Sequence, residues 1–148
     1  MKCLDMLRVV KDQLDPLMEY LKDDPVRPEI PADFRISKFA EILALVEDNK
    51  PEAIVCVAYR DFVPKDCEEL FQEPKNPTVA VFYTIWSYRP GAGRDLIQTV
   101  RQELPKLYPN LEKFVTLSPQ TEMAKNFHLK NGANIFRENT ITVNYEYA

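Results

Sequence analysis

The stretch from Thr78 to Arg94, TVAVFYTIWSYRPGAGR, decides how this chain is read. From Thr78 to Ser87 it is rich in β-branched and aromatic side chains and puts apolar residues on both faces, as a strand in the middle of a sheet does. The glycine turn Tyr88-Arg89-Pro90-Gly91-Ala92-Gly93 follows, and from Arg94 onward Leu96, Ile97, Val100 and Leu104 recur on one helical stripe. A strand, a glycine turn and a helix N-terminus predict an anion cradle, because free backbone N–H groups and the positive end of the helix dipole converge there. Gly91 and Gly93 lack a Cβ and let a phosphate approach the backbone, while Arg89 and Arg94 are flanking cations able to pair with a pyrophosphate. The bland alternative is a tight connection that binds nothing.

On the C-terminal side, Phe114 to Leu117 is of strand character and leads into Ser118-Pro119. Roughly Thr121 to Asn131 reads as a helix closed by Gly132 in the C′ position. Ile135-Phe136 and Ile141 to Tyr147 read as strands of a hairpin around Glu138-Asn139. On the N-terminal side, Ala53 to Tyr59 is a short apolar run of strand length. Leu4, Leu7, Val10 and Leu14 recur at helical spacing, and Asp15-Pro16 looks like the start of a second short helix. Lys22 to Arg35, with Pro25, Pro28 and Pro31, reads as an irregular connection. Ser37 is placed to cap a helix that uses Phe39, Ile42, Leu43 and Val46 and ends before Pro51; Pro105 kinks or ends the helix after the glycine turn. The expected fold is α+β: one domain over 1–148, with a mixed sheet core over 53–147 flanked by helices and a helical N-terminal segment over 1–50.

Composition narrows the function. A hydrophobic content of 45% and a charged content of 28% suit a soluble globular protein. A net charge of −4 argues against a nucleic-acid partner, which would normally face a basic surface. Cys3, Cys56 and Cys67 are odd in number and lack C-x-x-C spacing, so neither a disulfide framework nor a metal site is expected. Cys56 reads as core packing and Cys67 as a surface thiol. No apolar run approaches the roughly 20 residues that span a membrane, and acidic residues stand where a signal peptide would be apolar. A cytoplasmic, reduced protein is expected, and a homodimer is compatible with the sequence.

His128, the only histidine, is the natural candidate for chemistry near neutral pH, with a polar residue on a helix flank as its alternative. Ser118 before Pro119 is equally suited to cap a helix. Here the chain resembles a family. Ala124, Phe127, His128 and Gly132 have the spacing of the fourth-helix motif of the GNAT acyl-CoA superfamily, and the turn from Tyr88 to Gly93 resembles its pyrophosphate loop, with Tyr88 where Gln or Arg is usual. More closely, the chain looks like the catalytic domain of the malonyl-CoA decarboxylases. The matching stretches are Thr78 to Ser87, Leu96 to Pro119, Asn126 to Ala133 (NFHLKNGA) and the closing Asn144-Tyr145-Glu146-Tyr147.

The resemblance implies a GNAT-like fold, a coenzyme A thioester (acetyl-CoA or malonyl-CoA) as small-molecule substrate, and Ser118 with His128 as catalytic pair. It places the cofactor on Tyr88, Arg89, Gly91, Ala92, Gly93 and Arg94. One straight helix from Pro119 to His128 would hold Ser118 and His128 about 15 Å apart along its axis, so a dyad needs residues 118–121 as loop and Thr121 as cap. Two other functions fit the resemblance: an N-acetyltransferase moving acetyl from acetyl-CoA to an amine, and a non-catalytic CoA-binding module.

Overall fold

The computed structural model of the protein describes residues 6–148. Chain order gives β1 (Met6–Val10), a 3-10 helix (Pro16–Asp23), α1 (Ala32–Arg35), β2 (Ala40–Glu47), β3 (Lys50–Arg60), α2 (Cys67–Leu70) and β4 (Val79–Ser87). It continues with α3 (Ala92–Leu107), β5 (Lys113–Thr116), β6 (Ser118–Pro119), α4 (Glu122–Lys130), β7 (Asn134–Glu138) and β8 (Thr142–Glu146). Among the described residues the strands form one sheet in the order β1-β2-β3-β4-β5-β8-β6, with β7 added along β8. The β4–β5 pair is parallel, with α3 as its crossover, and the other pairs are antiparallel. The expected α+β fold with a mixed sheet is what forms.

Helices cover both faces. Leu96, Ile97, Val100 and Leu104 of α3 pack on Leu43, Val55 and Val57. On the other face Leu17 and Ile30 pack with Ile42, Cys56 and Val81. Burial on both sides explains why β2, β3 and β4 read as nearly continuous apolar runs.

The same burial corrects the N-terminal segment, which is not helical as expected. Residues 40–47 form β2, and Leu7 and Val10 lie in β1; Leu4 lies outside the described residues. Ala-Glu-Ile-Leu-Ala-Leu-Val-Glu has good helix formers, but Leu43 and Leu45 are buried in one core cluster while Ile42, Ala44 and Val46 are buried in the other. A two-sided sheet core overrides a weak local preference. The signal that was there is Asp48-Asn49. Both have positive φ, 53° and 64°, as a two-residue hairpin turn between Glu47 and Lys50 requires. The short helix expected at Asp15-Pro16 does form, as a 3-10 helix with Asp15 accepting from the Leu17 N–H.

Pro105 does not end α3, which runs to Leu107. α4 is capped by Thr121, whose Oγ1 accepts from the Ala124 N–H, and is closed by Gly132 at φ 100°. Cys56 is a core thiol, its pKa pushed up to about 11 by burial, whereas Cys67 is half-buried rather than a surface thiol. No helix among the described residues is long and apolar enough to cross a membrane.

Candidate functional site

β4 and β5 pair only from Val79↔Lys113 to Phe82↔Thr116. At that point the register of β3 on β4 steps from Val57↔Phe82 to Cys56↔Thr84, which leaves Tyr83 as the extra residue of a bulge. Side-chain parity flips with it: Tyr83 and Trp86, three apart, share one core cluster, while Ile85 packs on the other. A bulge bends its strand and strengthens the twist. β4 therefore parts from β5, and a cavity of about 380 Å³ opens between Phe82–Ser87 on one side and Leu117–Pro119 on the other. The first turns of α4 roof it through Met123, Ala124, Phe127 and His128.

His128 is 5% exposed. Its Nδ1 lies 2.6 Å from the Tyr147 hydroxyl, and its ring stacks on Tyr145 at 5.1 Å and 27°. Burial lowers its pKa from 6.5 to about 4, so the imidazole is neutral at pH 7. This corrects the expectation of a histidine poised near neutrality. Burial also raises the Tyr147 pKa, so that phenol keeps its proton. The phenol and Nδ1 are hydrogen-bonded, with donor and acceptor set by the imidazole tautomer, and that contact leaves Nε2 as the other ring nitrogen.

Ser118 lies in β6 opposite Val143, not at a helix cap. Residues 118–121 are thus outside α4, and Ser118 and His128 line the same cavity. They are not hydrogen-bonded to each other. The Ser118 Oγ donates to Thr116 Oγ1 at 2.7 Å, and that oxygen also accepts from the Tyr145 N–H.

At the cavity mouth, Gly91 occupies the N-cap of α3 at φ 82°, and no side chain caps the helix. The Ala92 N–H is taken by the Arg89 carbonyl, while those of Gly93 and Arg94 have no partner among the described residues. The side chains around this turn are mostly engaged elsewhere. The Tyr88 hydroxyl accepts from Trp86 Nε1 and donates to Asp23, and Arg89 forms an ion pair with Glu52 at 2.9 Å. Arg94 is largely exposed and lies 3.4 Å from Asp95. Gly93 has a second reason to be glycine: a Cβ there would stand 3.3 Å from the Phe127 ring.

Residue-by-residue reading missed Thr116, Tyr145 and Tyr147, which orient the pair. The closing Asn-Tyr-x-Tyr was the signal for the two tyrosines. The buried Asn144 of that motif donates to the Thr116 and Pro64 carbonyls and holds β8 in place.

No protein-family model matches the chain, and no curated protein matches it in sequence. Solved structures do match. Malonyl-CoA decarboxylase from Cupriavidus metallidurans superposes with a TM-score of 0.73 at 18% identity, over 98% of this chain and 61% of that one. The decarboxylase from Rhodopseudomonas palustris gives 0.71 at 19%, over 96% and 60%. A GNAT family acetyltransferase from Elizabethkingia anophelis with acetyl-CoA bound gives 0.60 at 12%, over 99% of both chains. This is a GNAT fold. The GNAT-fold chain spans about three fifths of the length of the two decarboxylases, and at these identities the likeness is one of fold.

Proposed function

We propose that the chain binds an acyl-CoA thioester and decarboxylates a malonyl one. The observation that carries this is the buried His128, held at Nδ1 by Tyr147 so that Nε2 is the ring nitrogen left for the splay cavity it lines with Ser118. The CoA pyrophosphate would lie on the open N–H groups of Gly93 and Arg94 at the α3 N-terminus, with the exposed Arg94 as the flanking cation. Of the six predicted cofactor residues, Tyr88 is engaged at its N–H by Glu52 and at its hydroxyl by Trp86 and Asp23, the Arg89 guanidinium is paired with Glu52, and Gly91 and Ala92 shape the turn. The thioester extends into the gap where β4 has lost β5.

Decarboxylation breaks the bond between the malonyl carboxylate carbon and C2, and its electron pair moves into the thioester carbonyl as an enolate. That oxygen needs a donor, which a backbone N–H at the splay supplies, or Ser118 once its hydroxyl turns away from Thr116 Oγ1. C2 then needs a proton. Neutral at pH 7 in the empty cavity, His128 gains its second proton when the substrate carboxylate enters, because a buried anion raises the pKa of an imidazole beside it. After CO₂ departs, the imidazolium returns one proton to C2, giving the acetyl thioester.

The experiment is mass-spectrometric analysis of malonyl-CoA and acetyl-CoA incubated with the purified protein. Wild type should convert malonyl-CoA to acetyl-CoA and CO₂. His128→Asn should keep CoA binding and lose about a hundredfold or more in turnover. Tyr147→Phe should fall in between, with a shifted pH profile. Malonyl-CoA left intact while an amine becomes acetylated would transfer the assignment to the N-acetyltransferase reading. CoA binding with neither reaction would leave a non-catalytic module.

A further inference from the structure

A second cavity, of about 450 Å³, lies at the other end of the sheet, beside Pro77 where β4 begins and Leu107 where α3 ends. It shares no residue with the acyl cavity. β4 runs from one towards the other, and its length is roughly 27 Å at about 3.3 Å per residue.

Its floor holds a carboxylate that the acyl chemistry does not use. Glu41 of β2 has a side chain only 5% exposed. Its two oxygens are in different situations. Oε2 accepts from the Tyr59 hydroxyl at 2.5 Å and from the Tyr108 hydroxyl at 2.8 Å. Oε1 accepts no hydrogen bond among the described residues; the cation paired with it is Lys11, whose Nζ stands 3.8 Å away on a side chain 67% exposed. A buried carboxylate is costly unless both its oxygens are matched, so one open oxygen in a cavity is a place for a donor.

The walls say which donor. The rings of Tyr59 and Tyr108 lie 4.9 Å apart, tilted by 54°, and Phe39 also lines the cavity, with Lys38 Nζ 5.2 Å from its ring centroid. Burial raises the pKa of both phenols, so they stay neutral and keep donating to Glu41. Electron-rich ring faces around a carboxylate are the recognition chemistry of an organic cation. Lys11 already places an ammonium at the mouth, but the side chain is exposed and such a pair is weak, so an incoming ammonium displaces it at little cost. Leu107 and Leu111 give the ligand an apolar body, while Lys11 and the exposed Lys38 at the rim disfavour a second positive charge. We propose that this cavity binds a small organic monoammonium compound, through Glu41 Oε1 and the rings of Tyr59 and Tyr108.

The test is titration of the full chain at pH 7 with phenethylamine, and with 2-phenylethanol as its neutral counterpart, followed by NMR. Saturable shifts should centre on Phe39, Tyr59 and Tyr108, and the alcohol should bind about tenfold more weakly or worse. Two variants should move affinity in opposite directions. Glu41→Gln, which keeps an acceptor for the tyrosines, should weaken amine binding about tenfold or more. Lys11→Met, a change on an exposed side chain, should strengthen it several-fold. Equal binding of amine and alcohol overturns the proposal. So do shifts centred on the acyl cavity, undiminished binding by a folded Glu41→Gln, or unchanged or weaker binding by Lys11→Met. If Glu41→Gln does not fold, the Lys11→Met titration alone decides.

Discussion

His128 is the residue on which sequence and structure disagree most usefully. Its type suggests a proton carrier near pH 7, but a site 5% exposed between two tyrosine rings removes water that would stabilise the imidazolium. The folded group titrates at about 4 and the unfolded one near 6.5. Between those values the unfolded chain binds a proton that the folded chain does not. The His128 contribution to stability is therefore complete above about pH 6.5 and is lost as pH falls to about 4, by about 3 kcal/mol at most. Urea unfolding across pH 7.5 to 4.5 should show this slope in wild type and a shallower one in His128→Asn. Identical slopes would mean that the carboxylates alone set the acid sensitivity. Gly93 teaches a similar lesson. Lacking a Cβ suits an approaching phosphate, yet the nearest atoms to a Cβ there belong to Phe127, so Gly93→Val would disturb the contact between α3 and α4 as well as any ligand.

Among the elements, the N-terminus of α3 differs from those of α2 and α4, which are capped by Asp66 and Thr121. A cap side chain in α3 would satisfy the N–H groups that the proposed pyrophosphate needs. Arg94→Glu separates ligand binding from folding, because the two effects have opposite signs. An acid in the first turn favours the helix dipole, so thermal stability should be unchanged or rise by a few tenths of a kcal/mol. CoA affinity should fall about tenfold from lost attraction and new repulsion, most clearly at low salt. Undiminished stabilisation of the variant by CoA would remove α3 from the binding site. The β2–β3 hairpin shows why the N-terminal elements escaped the sequence. Ile42, Leu43 and Val46 fit a helical stripe and a two-sided strand equally well, and short apolar runs do not distinguish the two by periodicity.

At the scale of the molecule, the stretch from Asp24 to Arg35 is closed on itself by one buried ion pair and tied to β4 beside the cavity by a hydrogen bond from Thr84 to Asp24. Arg35 Nη1 donates to Asp24 Oδ2 at 2.8 Å, and Asp24 Oδ1 accepts from the Thr84 hydroxyl and from the N–H groups of Val26 and Arg27. Arg35 also donates to the Ile30 and Arg27 carbonyls. Removing one partner strands a buried charge, so Asp24→Ala should cost about 3–5 kcal/mol, and replacing both by apolar residues should cost far less. A double-mutant cycle with Arg35→Met, read by denaturant unfolding, checks this; additive losses would show that the pair is not coupled.

The sequence by itself determined the central strand, the glycine turn and the helix after it, the capped and glycine-closed α4, and the C-terminal hairpin. In each, turn residues and apolar periodicity act within a few positions and point to the same element. It also brought Ser118 and His128 forward as residues to examine. The tertiary structure alone decided that residues 40–47 are a strand, because only their pairing with β3 buries both faces. It alone decided that Arg89 belongs to Glu52 and that Tyr147 belongs to His128, partners 37 and 19 positions apart. The histidine pKa follows from that assembly too, since burial is made by strands and helices that meet only in the folded chain.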